Sequence, residues 1–344
     1  ALLANDVNLV GRSFKYHRPR GILGIGSEEP NALISVHKGG KIEPNIRATT
    51  QEIYEGLIVT SQNSWPSLKF DALAINDILA PFFSAGFYYK TFMWPPRFWE
   101  ALYEPIIRRA AGLGKLDCEP DKDNYDQNFA FCDLLIIGGG PSGLLSALLA
   151  GRAGLDIILV DENPKFGGRL LFENTIIEGN HCVDWIQSCL GELKSLKNVR
   201  LLSRATVFGI YDQGTFGVLE RISRHAQNSK SDTALDCFWR IVASSSILAS
   251  GAIERHIAFG NNDRPGIMMA SAVRGYLNHY GVAAGKSISI FGSNDDAFNT
   301  AYDLNSAGVE IAAYIDSRSD ANIHGDFPIF RGAQVYDTGG RLGL

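Results

Sequence analysis

No two cysteines in this chain stand in a C-x-x-C arrangement, and that absence removes several chemistries together. The five cysteines, Cys118, Cys132, Cys182, Cys189 and Cys237, are odd in number and widely scattered. A disulfide framework, a zinc site and a dithiol redox centre therefore all lack their ligands, and a reducing cytoplasm is the compartment that fits. Cys182 and Cys189 are read as small apolar core residues on one helix face. Long apolar runs are missing as well. The best candidate, residues 134–150, is interrupted by Gly138, Gly139, Gly140, Pro141 and Gly143 and falls short of the roughly 20 residues a bilayer span requires. Neither a membrane span nor general attraction to nucleic acid is expected, since the net charge is -5. There is no initiator Met and no signal-peptide layout, so the chain is read as beginning inside something longer.

What is present is enough for two or three domains in 344 residues. Residues 11–21, GRSFKYHRPRG, gather Arg12, Lys15, His17, Arg18 and Arg20. Such a cluster suits a phosphate or an acidic partner, or else pairs with local acids such as Glu28 and Glu29. Residues 86–103 carry Phe87, Tyr88, Tyr89, Phe92, Trp94, Phe98, Trp99 and Tyr103, ring surface that requires burial against a neighbouring domain or a partner subunit. Pro95 and Pro96 exclude one continuous membrane-surface helix there. Residues 115–128 are polar and acidic and read as a linker. A helix is expected over 184–196, with strands over 199–202, 206–211, 217–222 and 238–242.

The most informative stretch is DLLIIGGGPSGLLSALLAGRAGLDIILVDE, residues 133–162. Residues 134–137 read as a strand buried on both faces, and Pro141 suits the first turn of the helix that follows. Gly138 permits the tight turn, Gly140 lets the backbone approach a pyrophosphate, and Gly143 allows helix and strand to pack closely. The phosphates then meet a helix N-terminus, and Asp161 closes the second strand where a carboxylate accepts hydrogen bonds from a ribose. The bare G-x-G-x-x-G is weak in a chain with 36 glycines; the flanking strands, the helix and the terminal acid make it specific for a dinucleotide. A second strand, turn and helix unit over 287–316 retains only Gly292 of the three glycines, with Asn294 and Ala297 in the other slots. Asp295 and Asp296 suit its helix dipole but repel a pyrophosphate, so this unit either binds a ligand or has lost it.

Beyond the glycines, YHRPRGI, EEPNAL, GFYYKTFMWP, IRRAAGLG and SGAIERHIAFGNNDRPGIMMASAVRGYL resemble the alpha subunits of heterotetrameric sarcosine oxidases over almost the whole chain. Subunits of hydrogen cyanide synthase and dye-linked proline dehydrogenase share parts of the pattern. The resemblance implies an α/β fold with two dinucleotide-binding domains of the glutathione-reductase-like, Rossmann flavoprotein type, preceded by a small ferredoxin-like α+β domain lacking its iron–sulfur cluster. Gly24, Gly26 and Ser27 occupy the region where cysteine ligands are expected. The implied organisation is a degenerate ferredoxin-like domain (1–45), an aromatic-rich connecting segment and linker (46–128), the first part of a dinucleotide domain (129–285) and a truncated second Rossmann-like unit (286–344). The resemblance further implies NAD in this chain, FAD in the beta subunit, FMN at their interface, and gamma and delta subunits as additional partners. Sarcosine and tetrahydrofolate are then the substrates of the complex.

By the same resemblance Gly138, Gly140, Ser142 and Gly143 surround the pyrophosphate, while Asp161, supplemented by Glu162, takes the adenosine ribose. Lys165, Gly168 and Arg169 match the following segment, the two cations being either phosphate-side charges or ordinary surface charge. Thr206 and Val207 fall on the strand whose main chain meets the adenine, and Ser250 and Gly251 stand where flavoproteins have Thr-Gly. No catalytic residue is assigned, because His181, His225, His256 and His279 are isolated, and no metal site is expected. Two other readings compete. One is a stand-alone FAD/NAD(P)-dependent oxidoreductase of the pyridine nucleotide-disulfide reductase-like class, acting on an amine or amino acid, which lacks its cysteine pair. The other is a dinucleotide that serves only to stabilise the fold.

Overall fold

A computed structural model of the chain describes residues 1–344 apart from 39, 84–85, 87–91, 93, 115–119 and 227–232. Cys118, the rings of Phe87, Tyr88 and Tyr89, and the first part of the expected linker lie outside the described residues. Two units emerge, one built from Ala1–Glu119, Glu254–Leu277 and Gly281–Leu344, the other from Pro120–Ile253 and Asn278–Tyr280.

The first unit begins with a two-stranded ribbon, β1 (Gly11–Arg12) antiparallel to β2 (Pro19–Arg20). A three-stranded antiparallel sheet follows, β3 (Leu33–Lys38) lying between β4 (Lys41–Arg47) and β5 (Ile58–Ser61). Its third strand lies beyond the boundary at 45 expected from sequence. On β3 the alternation of side chains turns Ile34 and Val36 inward. The basic cluster is neither a free phosphate site nor paired with Glu28 and Glu29. Arg18 donates to Asp263 through Nε at 2.7 Å and Nη2 at 2.9 Å, and Arg20 donates to the same carboxylate. Arg12 is buried and donates to the carbonyls of Leu68 and His17. His17 is also buried, its Nδ1 lying 2.6 Å from Asp71 Oδ2 and its Nε2 2.8 Å from the Ala110 carbonyl at the end of α1 (Glu104–Ala111). Apart from the His17 carbonyl, these partners are 54 to 245 residues away in sequence, so the spacing of the cluster itself carried no sign of them.

The second unit is a six-stranded sheet. Its first strand, β6 (Tyr125–Ile137), leads into α2 (Pro141–Arg152) and β7 (Ile157–Val160), and α3 (Cys182–Ser195) returns the chain to β8 (Val199–Leu202). Then come β9 (Ala205–Tyr211), β10 (Thr215–Arg221) and β11 (Asp236–Leu248). The order is β8-β7-β6-β11-β10-β9, parallel from β8 to β11 and antiparallel beyond. Ile157 to Val160 are buried without alternation, as expected of a parallel strand covered on both faces. Cys182 and Cys189 join Leu144, Ile186 and Leu193 in the core between α2, α3 and the sheet. The expectation of a linker up to residue 128 is corrected, because β6 starts at Tyr125. Its polar first turns are held by backbone pairing to Asp236, Cys237, Phe238 and Trp239 rather than by burial.

Later in the chain come α4 (Ala270–Tyr280), β12 (Ser287–Gly292), α5 (Asp295–Ser306), β13 (Glu310–Asp316) and β14 (Ile329–Arg331). The last three strands form a parallel sheet in sequence order, with Leu304, Ala301 and Tyr314 fully buried beneath α5. Within the first unit, Asp263 is the acid that ties this later segment to the N-terminal ribbon. Burial opposes its charge, but hydrogen bonds from Arg18 and Arg20 prevail and hold it down at about 2. A depressed carboxyl contributes stability above its unfolded value of 3.8 and loses it as pH falls through about 2. Asp263→Ala leaves two half-buried guanidiniums without their acceptor, so urea unfolding at neutral pH is expected to show a loss of about 1–3 kcal/mol. An unchanged midpoint would remove the clamp from any account of this unit.

Candidate functional site

At the carboxyl end of β6 the chain turns through three glycines into α2, and Gly138, Gly139 and Gly143 are each constrained by something different. Gly138 has φ +104°, and a Cβ there would lie 2.4 Å from the Ala249 carbonyl oxygen, so it needs both the left-handed region and the missing side chain. Gly143, one turn into α2, would place a Cβ 1.9 Å from the Gly138 carbonyl oxygen, the close helix and strand approach expected from sequence. Gly139 would drive a Cβ to 2.2 Å from the ring of Phe166. Gly140 differs from these three. Its φ of -73° suits any residue, and the nearest atom to a Cβ would be Gly168 Cα at 3.9 Å. Nothing in the protein itself demands glycine at 140, whereas a ligand pressed against the main chain would.

Gly140 is also the N-cap of α2, and no side chain caps that terminus. Pro141 has no N–H, so the amides of Ser142 and Gly143 are the first donors the helix presents, beside the positive end of its dipole. Asp161, at the end of β7, is 7% exposed, and its Oδ2 accepts from Gly139 N at 2.6 Å while Oδ1 accepts from Asn163 N at 2.8 Å. The carboxylate therefore faces the glycine turn, and with about four lone-pair sites it keeps acceptor capacity beyond these two bonds. The loop after it folds back on the turn. Gly167 N donates to the Gly139 carbonyl at 2.8 Å, and Gly168, at φ +53°, sits so close that its Cβ would meet Gly140 Cα at 2.8 Å.

The remaining expected residues fall around this turn in different degrees. Ala205 N donates to the Asp161 carbonyl at 2.8 Å, which brings the half-buried Thr206 and Val207 of β9 directly after the acid. Ala249 N donates to Ile137 O at 2.7 Å, so Ser250 and Gly251, both exposed, follow the segment that walls Gly138. Glu162 and Lys165 are exposed, and Arg169 donates to Glu173 at 2.5 Å, one turn along its own short helix. The sequence reading had omitted Gly139, Phe166 and Ala249. The run of three glycines and the FGG at 166–168 carried the signal for the first two, while Ala249 is brought in only by strand pairing.

In the second strand, turn and helix unit the corresponding groups are occupied by the chain itself. Asn294 Oδ1 caps α5 by accepting from Ala297 N at 3.0 Å. Asp316, fully buried at the end of β13, is bound by Arg318 through Nε at 3.0 Å and Nη2 at 2.9 Å, and the same Nη2 reaches Asp295 at 2.8 Å. Hydrogen bonds from Arg318 hold the Asp316 carboxyl below its ordinary range. Asp296 pairs with Arg274 at 3.5 Å. Three of the described thiols are held protonated rather than poised as nucleophiles: burial pushes the Cys132 thiol up to about 11 and raises those of Cys189 and Cys237 as well. His181 Nδ1 accepts from Val183 N at the start of α3, and His279 packs its ring edge on Phe172. Among the described residues no cluster of three or more His, Cys, Asp or Glu is arranged to hold a metal.

A sequence model of FAD dependent oxidoreductases matches residues 133–201, and one of 2Fe-2S iron-sulfur cluster binding domains matches residues 1–64. The sarcosine oxidase subunit alpha of Rhizobium meliloti (strain 1021) is 54% identical over 99% of this chain and 35% of its own length. That of Corynebacterium sp. (strain U-96) is 33% identical over 93% of this chain and 29% of its own. The chain thus spans about a third of the length of these relatives. Among solved structures, L-proline dehydrogenase from P. horikoshii aligns with a TM-score of 0.60 at 19% identity, covering 94% of this chain and 50% of that one, a likeness of fold. The iron–sulfur description does not fit the residues, because 1–64 contains no cysteine and only two histidines. Of these His17 is bound to Asp71 and Ala110, and His37 to Thr60 on the neighbouring strand.

Gly140→Ala and Gly143→Ala separate ligand from fold. Gly140→Ala is expected to keep the melting temperature of the ligand-free chain within about 2 °C while weakening dinucleotide binding at least roughly tenfold. Gly143→Ala is expected to destabilise the chain itself by about 3 kcal/mol or more, read by denaturant unfolding. Equal effects of the two on stability would deny the ligand its role at 140.

Proposed function

We propose that this chain, a homologue of sarcosine oxidase alpha subunits over nearly all its length, is the dinucleotide-bearing part of an amine-oxidising complex. The observation that carries the first half of this reading is Gly140, a glycine with no structural reason in the protein, beside an uncapped helix N-terminus and the Asp161 carboxylate. Gly138, Gly140, Ser142 and Gly143 hold the pyrophosphate, Asp161 the ribose, and the main chain at Thr206 and Val207 the adenine. The dinucleotide is NAD; when bound, such a group supplies a ring able to accept or give a hydride. What this chain itself contributes is binding and orientation: amides aimed at the phosphates, a carboxylate held rigidly by two backbone N–H groups, and a loop at 164–168 that shields one side.

The substrate is sarcosine, oxidatively demethylated to glycine, with electrons passing through FAD of a beta subunit and FMN at its interface with this chain to oxygen, and the one-carbon unit to tetrahydrofolate. Gamma and delta subunits complete the heterotetramer, which works in the cytoplasm. The designation of the relatives as alpha subunits and the exposed apolar groups of the first unit support the multi-subunit part. Trp65 is 69% exposed, Ile78 and Phe82 79%, and Trp94, one of the rings of 86–103 expected to be covered, 80%, so the described residues leave these apolar groups open. The stand-alone reductase reading is disfavoured by the buried, scattered thiols and by a second Rossmann unit whose acids are already paired with Arg318 and Arg274. A dinucleotide that merely stabilises the fold remains compatible with the complex, since a subunit can serve as scaffold.

Heat release of the bound nucleotide followed by chromatography is expected to give NAD, one per chain; FAD, visible as flavin absorbance in the chain alone, would favour the reductase. A second equivalent on the native chain would contradict the closure of the second Rossmann-like unit by Arg318. Serine at both Trp65 and Trp94 is expected to weaken assembly with partner subunits at least roughly tenfold in a pull-down titration, without lowering nucleotide content.

A further inference from the structure

The loop at 21–32, GILGIGSEEPNA, turns a row of backbone amides inward within the segment that matches iron–sulfur domains. The Glu29 side chain, which is fully buried, accepts at Oε2 from Leu23 N and Gly24 N, both at 2.7 Å. Its Oε1 accepts from Asn31 N at 2.6 Å and Ala32 N at 3.1 Å. Four donors fill all four lone-pair directions of one carboxylate. Glu28 completes the row, Oε1 accepting from Ile25 N at 2.7 Å and Gly26 N at 3.0 Å. No ion pair joins either glutamate to a cation among the described residues; Arg47 reaches only the Glu29 backbone carbonyl, at 3.1 Å.

Consecutive inward amides form a concavity that requires an anion, because buried N–H groups without acceptors cost about 1–3 kcal/mol each. In iron–sulfur proteins the cluster and its thiolates accept such bonds. Here a Cβ at Gly24 would lie 2.8 Å from Glu28 Oε1, and one at Gly26 2.8 Å from Glu28 Oε2. The Glu28 carboxylate thus stands where side chains at 24 and 26 would project. We propose that Glu28 and Glu29 are an internal anion that takes the place of a metal cluster as the organising ligand of this loop. The domain keeps the amide cradle of a cluster protein and fills it with its own carboxylates, and it needs no metal to hold its shape. The inference rests on the loop alone and stands whichever nucleotide the second unit binds.

The test is hydrogen–deuterium exchange on the whole chain with its nucleotide bound, comparing the native protein with Glu28→Ala and Glu29→Gln. Both Glu28 bonds go to one oxygen, so alanine is needed to remove them, whereas glutamine at 29 turns an NH2 toward one pair of N–H donors and cannot accept from that pair. Exchange is expected to rise at least roughly tenfold at residues 25 and 26 in Glu28→Ala, and at one pair, 23 and 24 or 31 and 32, in Glu29→Gln. Nucleotide content should be unchanged in both. Should Glu29→Gln not fold, the half-buried Glu28 still gives its own answer. Incubation of the native chain with ferrous iron and sulfide is expected to leave no bound iron and no visible absorbance. Unaltered protection in the variants, or stoichiometric iron and sulfide retained by the native chain, would overturn the proposal.

Discussion

Helix α2 comes so close to the strand before it that only a hydrogen fits between residue 143 and the Gly138 carbonyl, and the geometry of the proposed dinucleotide site follows from that approach. With the helix drawn against the sheet, its first amides open directly over the end of β6, and the turn between them must be made of bare main chain. The acid closing β7 is then near enough to bond Gly139, and the loop after it can fold back on Gly140. A larger residue at 143 would move the helix outward and disperse all of these at once. Loop, acid and helix terminus are consequences of a single packing distance.

Three amide-rich turns among the described residues differ in what satisfies them. At 138–143 the helix terminus has no side-chain cap. At 292–297 Asn294 caps the helix and Arg318 neutralises the acid that a ribose would otherwise meet. At 23–32 two glutamates saturate the row. Similar geometry therefore leads to different functions according to the neighbouring side chains, and only the first turn leaves its donors for something outside the protein. Fold likeness alone would have treated the two Rossmann-like units as equals.

Much of this was legible in the sequence because it is local. The strand at 134–137, the proline-initiated helix, the acid at 161 and the core cysteines of α3 each follow from spacing over a few residues. What was not legible is long-range. Nothing in KYHRPR announces that Arg18 and Arg20 meet Asp263, or that His17 lies against Asp71, because ion pairs leave no periodicity. The polar text at 125–128 read as linker since its pairing to β11 is made by the backbone, which the side chains do not betray. Glu28 and Glu29 were read as acids that could pair with the basic cluster, whereas their partners are amides, not cations.

The Asp263 clamp also bears on how the polypeptide emerges from the ribosome. Arg18 must wait for a carboxylate 245 residues further along, and at about 5–20 residues per second that interval is on the order of tens of seconds. Throughout it Arg20 is without its carboxylate and Arg18 has only Asp77, at 3.4 Å, to pair with while the intervening sheet is being translated. Completion of the ribbon is thereby placed late in synthesis, after the six-stranded sheet has left the exit tunnel, and nascent-chain chaperones have their longest opportunity at residues 11–20.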